Sequence, residues 1–272
     1  MSTGDHGQEI NLRTYGTTGP TVVVLHGGPG AAGYVAPVCR EFSHAFNVVE
    51  PLQRESGDFP LTVARHVSDL LDVIHRNSLE GVTLIGHSWG AMLGLAFAAE
   101  HPELVKSLVL IGCGTFESAS RTILESTLAL RMTATLRERL RESARTIEDP
   151  DVCMCVEGRI LEPVYSYQTI PHTDETEWYD ARGHRESWDD MLRLQRTGVY
   201  PAAFSSIGVP VLMLHGDHDP HPGWSTFDCL RSAMPQTQYV ELARCGHYPW
   251  WEHFARDEFF GVLHDWLVQH SK

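Results

Sequence analysis

Residues Val82–Glu100 read VTLIGHSWGAMLGLAFAAE, and the centre of that stretch decides the architecture. VTLI is a short apolar run of the kind that forms a strand buried on both faces. AMLGLAFAAE is small and apolar almost throughout, as a helix packed closely against a sheet must be. Between them lies Gly86-His87-Ser88-Trp89-Gly90, a G-x-S-x-G pentapeptide. A serine on so sharp a strand-to-helix turn has little room around it, so its near neighbours must be glycines. The helix that begins beneath it favours any negative charge developing there. In this setting Ser88 reads as a nucleophile.

A nucleophilic serine needs a base, and the base needs an orienting carboxylate. Two further apolar runs supply candidates. Val209–Leu214 leads into HGDHDPHPGW, and Gln238–Leu242 leads into ARCGHYPWWE. Asp219 and His247 therefore stand just past strand ends, as Ser88 does. In an open parallel sheet the carboxyl ends share one edge, where ligands bind. The order Ser88, Asp219, His247 is the one this arrangement requires. Asp217 competes for the acid role but lies nearer the strand end, where a turn-capping role is expected. His253 lies in the next helical stretch and lacks the preceding glycine. His215, Asp217, His218, Asp219 and His221 form a metal-like grouping, yet no helical spacing organises them. A triad with loop capping accounts for them, so no metal is expected.

The stretch HGGPGAAG, His26–Gly33, admits two interpretations. Gly28-Pro29-Gly30-Ala31-Ala32-Gly33 fits the G-x-G-x-x-G dinucleotide fingerprint, with Glu50 near the place of a ribose-binding acid. However, His26 and Gly27 separate the apolar run Thr21–Leu25 from the first glycine, and Pro29 removes a donor from the turn meant to cradle a pyrophosphate. A loop that brings a backbone donor to a reacting carbonyl fits better, since glycines allow close approach. Glu50 then becomes the end of an ordinary strand.

The chain has 272 residues, 42% of them apolar and 21% charged, with a formal charge of −14. That balance is ordinary for a globular protein and argues against a nucleic-acid surface. The opening MSTGDHGQEI has no basic region or apolar core of a signal peptide, and no apolar run approaches the ~18 residues of a membrane span. A cytoplasmic protein with no membrane or nucleic-acid partner is expected. Its six scattered cysteines are expected to be reduced, with Cys153 and Cys155 on a helix. Phe46–Val49 and Ser107–Ile111 complete the set of strands. Helical patterns lie between, including Thr62–Arg76 with Val63, Val67, Leu70, Leu71 and Ile74 on one face. Strands alternating with helices imply a mostly parallel sheet covered on both faces. The alternation stops from about Phe116 to Phe204, which reads as a mostly helical insertion.

Taken together, these residues resemble the α/β-hydrolase fold, and HGGPG, GHSWG, GDHDP and CGHYPW are most similar to its proline iminopeptidase-like branch. The resemblance covers roughly residues 10–115 and 205–272. It implies an α/β core over residues 1–115 and 205–272, with residues 116–204 as a helical cap. It further implies an oxyanion hole made by the Gly28 and Trp89 backbone N–H groups, no cofactor, and a small-molecule substrate. The chain departs from the iminopeptidase D-Q-R-G-x-G-x-S segment, reading PLQRESGDF at Pro51–Phe59, where only Gln53, Arg54 and Gly57 correspond. Glu157 and Glu162 are acids in the cap, but neither aligns with an amine-binding position. Trp178, Tyr179 and Trp188 are candidates for an acyl pocket or for cap core, as Trp250 and Trp251 are for site or core. The expected activity is hydrolysis of a small carboxylic ester or related acyl bond. An N-terminal-proline aminopeptidase is the alternative. A non-catalytic binding protein of this fold is a third option, which the complete Ser88, Asp219 and His247 set opposes. Ser88 in place of an aspartate argues against dehalogenase and epoxide hydrolase chemistry.

Overall fold

The computed structural model describes residues 10–271, so the polar opening MSTGDHGQE lies outside the described residues. The first half of the chain runs β1 (Leu12–Tyr15), β2 (Thr21–Leu25), β3 (Ala31–Ala32), α1 (Ala36–Phe42), β4 (Asn47–Pro51), α2 (Val63–Arg76), β5 (Val82–His87), α3 (Trp89–Glu100) and β6 (Val105–Ile111). Four helices follow: α4 (Ser118–Arg131), α5 (Ala134–Thr146), α6 (Pro150–Tyr165) and, after the short β7 (Trp178–Tyr179), α7 (Ala181–Arg196). The chain then returns through β8 (Val211–Gly216), α8 (Gly223–Ala233), β9 (Gln238–Leu242) and α9 (Arg256–His270).

Seven strands form one sheet in the order β1-β4-β2-β5-β6-β8-β9. Only β1 is antiparallel to its neighbour. Successive side chains of a strand leave opposite faces, and in β2 both faces are buried. Val23 and Leu25 pack with α2 and α3, while Val22 and Val24 pack with α1 and α9. That double burial is why the strands read as unbroken apolar runs. On α2, Val63, Val67, Leu70 and Ile74 are buried, and Thr62 caps the helix by accepting the Arg65 N–H at 3.2 Å.

Element boundaries differ from the expected ones for local reasons. β8 starts at Val211, not Val209, because Pro210 has no N–H to give; its carbonyl accepts the Leu108 N–H at 3.0 Å. β5 runs on through Gly86 and His87, which pair with Leu110 and Ile111. The edge strand β1, half polar and four residues long, was too short to show an alternation. Cys153 and Cys155 lie on α6, and no helix of the described residues is long and apolar enough to cross a membrane.

Glu50 is not the end of an ordinary strand. Strand β4 continues to Pro51, and the Glu50 side chain is fully buried. Tyr15 Oη donates to Glu50 Oε2 at 2.8 Å and Arg13 Nη1 lies 3.5 Å from the same oxygen. Oε1 has no hydrogen-bond partner among the described residues. Burial pushes this carboxyl up to about 7, although Tyr15 and Arg13 pull it down. Between the ordinary carboxyl range and about 7, the folded protein holds a proton that the unfolded chain has released, so stability falls as pH rises through that window. Glu50→Gln should remove this slope and be more stable than wild type near pH 8, by about 2–3 kcal/mol. Denaturant unfolding at about pH 5 and pH 8 tests it, and parallel losses in the two proteins would refute it.

The helical stretch between β6 and β8 is joined to the sheet portion by a pairing that the sequence did not signal. Ala31 and Ala32 of β3 pair with Tyr179 and Trp178 of β7. The ladder continues as Glu177 N–H to Ala32 O at 2.7 Å and Asp180 N–H to Gly30 O at 2.8 Å. The glycine loop is thereby fixed to this stretch.

Candidate active site

Ser88 lies between β5 and α3 at φ 55° and ψ −117°, a conformation that costs a non-glycine residue of order 1–3 kcal/mol. Contacts show why its neighbours are glycines. A Cβ on Gly86 would come within 2.3 Å of Gly90 O, and one on Gly90 within 2.2 Å of Leu25 O. The Ser88 N–H donates to Ile111 O at 2.8 Å, which holds the turn against β6. His87 and Trp89 on either side are buried, whereas Ser88 itself remains partly exposed.

Asp219 and His247 meet at the same edge of the sheet. His247 Nδ1 donates to Asp219 Oδ2 at 2.6 Å, and both residues are almost wholly buried. With its proton on Nδ1, the imidazole keeps the Nε2 lone pair for base chemistry. The other carboxylate oxygen, Oδ1, accepts the His221 backbone N–H and the His221 ring Nδ1–H, each at 2.9 Å. His215 Nε2 lies 3.4 Å from Oδ2 while donating to His221 O at 3.0 Å. Burial opposes the Asp219 charge, but His247, His221 and His215 outweigh it and hold the carboxyl well below its usual range. Burial also holds the His247 imidazole below its ordinary range, against the upward pull of Asp219. Thus the acid is ionised and the base neutral near pH 7, as proton abstraction requires.

Other candidates fall elsewhere. Asp217 instead ties the loop after β8 to the loop that carries His247, with Oδ1 accepting the Cys245 N–H at 3.2 Å. His253 is exposed, and its N–H donates to Gln168 O at 2.8 Å. Asp219, His221 and His247 offer ligand atoms within 4.8 Å of one another, a spacing at which a metal could be held. Their hydrogen bonds already pair both carboxylate oxygens with imidazole protons, so a metal would have to displace those protons. Gly28 has φ 112°. The backbone N–H groups of Gly28 and Trp89 have no partner among the described residues, and neither do Ser88 Oγ or His247 Nε2. Such contacts commonly close only when substrate binds. Trp188 meets the Trp89 ring edge-on at 6.1 Å, Trp178 and Tyr179 form β7, and Trp250 and Trp251 are buried. A groove of about 850 Å³ among Phe116, Arg121, Gln195, Tyr200 and Cys229 includes none of the five candidate residues.

Two supporting residues escaped the sequence-based assignment. Gln53 donates its backbone N–H to His26 Nε2 at 3.0 Å and its side-chain Nε2 to His26 O at 2.7 Å, and its Oε1 accepts Trp89 Nε1 at 2.9 Å. It thus joins the glycine loop to the start of α3. Glu252, fully buried, accepts the backbone N–H groups of Gly246, Tyr167 and Gln168, each at 2.8 Å. It fixes the loop that carries His247, whose own N–H donates to Tyr165 O at 2.7 Å. The surviving Gln53 of PLQR was a partial signal. For Glu252 there was none, because its partners are backbone groups, two of them about 85 residues away.

A parallel sheet with helices on both faces and an acid–base pair at its carboxyl edge defines a class of protein. The family model for the alpha/beta hydrolase fold matches residues 20–254, and the chain belongs to that family. It is a hydrolase of the α/β-hydrolase superfamily. Along its whole length it is similar to a 2-hydroxy-6-oxononadienedioate/2-hydroxy-6-oxononatrienedioate hydrolase of Dechloromonas aromatica, at 27% identity over 97% of this chain and 92% of that one. Proline iminopeptidase of Neisseria gonorrhoeae is 39% identical over 103 residues, 35% of this chain and 33% of that one. The thermophilic esterase of Thermogutta terrifontis superposes with a TM-score of 0.65 at 18% identity, covering 97% of this chain and 94% of that one.

Proposed function

We propose that the chain is a serine hydrolase that cleaves a small-molecule carboxylic ester or related acyl bond through an acyl-enzyme. The buried 2.6 Å bond between Asp219 and His247 carries this reading, at the sheet edge where Ser88 stands on its strained turn. Ser88 Oγ attacks the carbonyl carbon and passes its proton to His247 Nε2. The carbonyl electron pair moves onto oxygen, where the Gly28 and Trp89 N–H groups receive it. The intermediate collapses, the bond to the leaving alcohol breaks, and that oxygen takes the proton from His247. Water then attacks the acyl carbon, giving a proton to His247, and the acid departs as Ser88 Oγ recovers it. Residues 116–204 serve as the cap that shapes the acyl pocket.

The similarity to the Neisseria gonorrhoeae enzyme favours a second reading, release of an N-terminal proline. The two cap acids are already engaged: Glu162 lies 3.4 Å from Thr169 Oγ1 and 3.9 Å from His172, and Glu157 accepts from Cys153. A panel of short p-nitrophenyl esters, proline p-nitroanilide and a 2-hydroxy-6-oxo dienoic acid decides between bond types. Turnover of the esters at least about 100-fold above the other two is expected. Rapid anilide turnover with inert esters would replace the esterase reading by the peptidase one. Turnover of the dienoic acid alone would move the cleaved bond from carbon–oxygen to carbon–carbon.

A further inference from the structure

Tyr34 and His87 serve as neither acid, base, nucleophile nor oxyanion donor, yet they form a continuous chain of hydrogen bonds behind the site. The Gly27 N–H donates to Tyr34 Oη at 2.8 Å, Tyr34 Oη lies 2.6 Å from His87 Nδ1, and His87 Nε2 lies 2.8 Å from His247 O. Their directions are fixed by chemistry. A backbone N–H can only donate, so the phenol oxygen accepts it; the phenol proton goes to His87 Nδ1, which is bare in a neutral ring protonated at Nε2. A carbonyl can only accept, so His87 Nε2 must carry the ring proton. Tyr34 and His87 are buried, and Trp250 seals them, stacked on Tyr34 at 6.2 Å and edge-on to His87 at 4.8 Å.

The chain begins and ends at informative places. Gly27 precedes Gly28, His87 precedes Ser88, and the last acceptor is the carbonyl of His247 itself. The glycine loop also lies close to the serine, since a Cβ on Gly27 would sit 2.9 Å from Ser88 Cβ. These three segments follow β2, β5 and β9, and no single strand pair sets all of their separations. We propose that Tyr34 and His87 are positioning residues, whose one-way hydrogen-bond chain sets the spacing of the Gly28 N–H, Ser88 and His247. This rests on the acyl-transfer reading of Ser88. Burial keeps His87 well below and Tyr34 well above their usual titration ranges, so the chain holds one protonation state.

Tyr34→Phe keeps the ring and its packing but leaves the Gly27 N–H without an acceptor and His87 Nδ1 without a donor. Misplacement of reacting groups by fractions of an ångström predicts a kcat loss of about 10- to 100-fold, with KM changed less than about threefold. The pH–rate profile should keep its shape at reduced height, and labelling by a fluorophosphonate probe should slow in proportion to kcat. A variant that labels and turns over at the wild-type rate overturns the positioning role. If wild type does not label, or if Ser88→Ala labels equally, the acyl-transfer reading has failed and this proposal with it. Ring-nitrogen NMR of the wild-type protein supplies a check that needs no variant to fold. His87 should show a proton on Nε2 and a bare, hydrogen-bonded Nδ1, and the opposite tautomer refutes the chain.

Discussion

Ser88→Ala should lower kcat on the best ester of the panel by about 10⁴- to 10⁶-fold and abolish fluorophosphonate labelling. The expectation follows from what the side chain does and does not hold. Ser88 Oγ has no hydrogen-bond partner among the described residues, so its removal leaves no buried polar group stranded. The turn is held by the Ser88 N–H on Ile111 O and by the glycine contacts around it, all of which alanine retains. Thermal stability should therefore change little while activity collapses. Residual turnover above that of water would come from the Gly28 and Trp89 donors alone. A loss below about tenfold, in a protein that still unfolds cooperatively, would remove Ser88 from the mechanism.

Asp219→Asn should cost about 10⁴-fold in kcat, through the arrangement of imidazoles around this carboxylate. Asp219 accepts on both sides: one proton from His247 on Oδ2 and two from His221 on Oδ1. Asparagine has one accepting oxygen and one NH₂. If the oxygen serves the two His221 donors, the NH₂ faces His247 Nδ1, which must then become an acceptor. The His247 proton moves to Nε2, where the base needs its lone pair. Reversing the amide spares His247 but sets the NH₂ against the two His221 donors, an unfavourable contact in a buried site. The measurement is kcat and KM on the same ester, with NMR of the His247 ring nitrogens to identify the tautomer. Activity within tenfold of wild type would show that the carboxylate is dispensable.

The parts of this molecule legible in its sequence are those where a local pattern meets a physical necessity. Strands buried on two faces must be apolar, so β2, β5 and β8 stand out as runs, while the half-exposed edge strand β9 still has the expected limits, Gln238–Leu242. The G-x-S-x-G turn is legible because the Gly86 and Gly90 contacts tolerate no side chain. Preferring Asp219 to Asp217 rested on distance from the strand end, and it is Asp219 that lies 2.6 Å from His247. What escaped was whatever joins distant segments through ordinary residues. Tyr34 lies 53 positions from His87, and nothing in either residue type announces the partner. The two-residue ladder of β3 and β7 is too short for periodicity, and the load on Glu50 depends on an edge strand that the sequence barely marks.

That ladder and the Glu252 clamp have a practical meaning for chimeric enzymes. Both attach to the stretch between α6 and α7: Trp178 and Tyr179 hold the glycine loop, while Tyr167 and Gln168 are held by Glu252. The mechanical seam of the protein thus runs inside the stretch between β6 and β8, not at its ends. A foreign cassette replacing α4 and α5 would leave the glycine loop and the loop carrying His247 on these anchors, and would remove the Arg131 hydrogen bond to His218 O beside Asp219. One spliced in at residues 116 and 204 would carry those anchors away. Recombination that seeks new substrate range should therefore exchange the first two helices and keep everything from Tyr165 onward with the sheet.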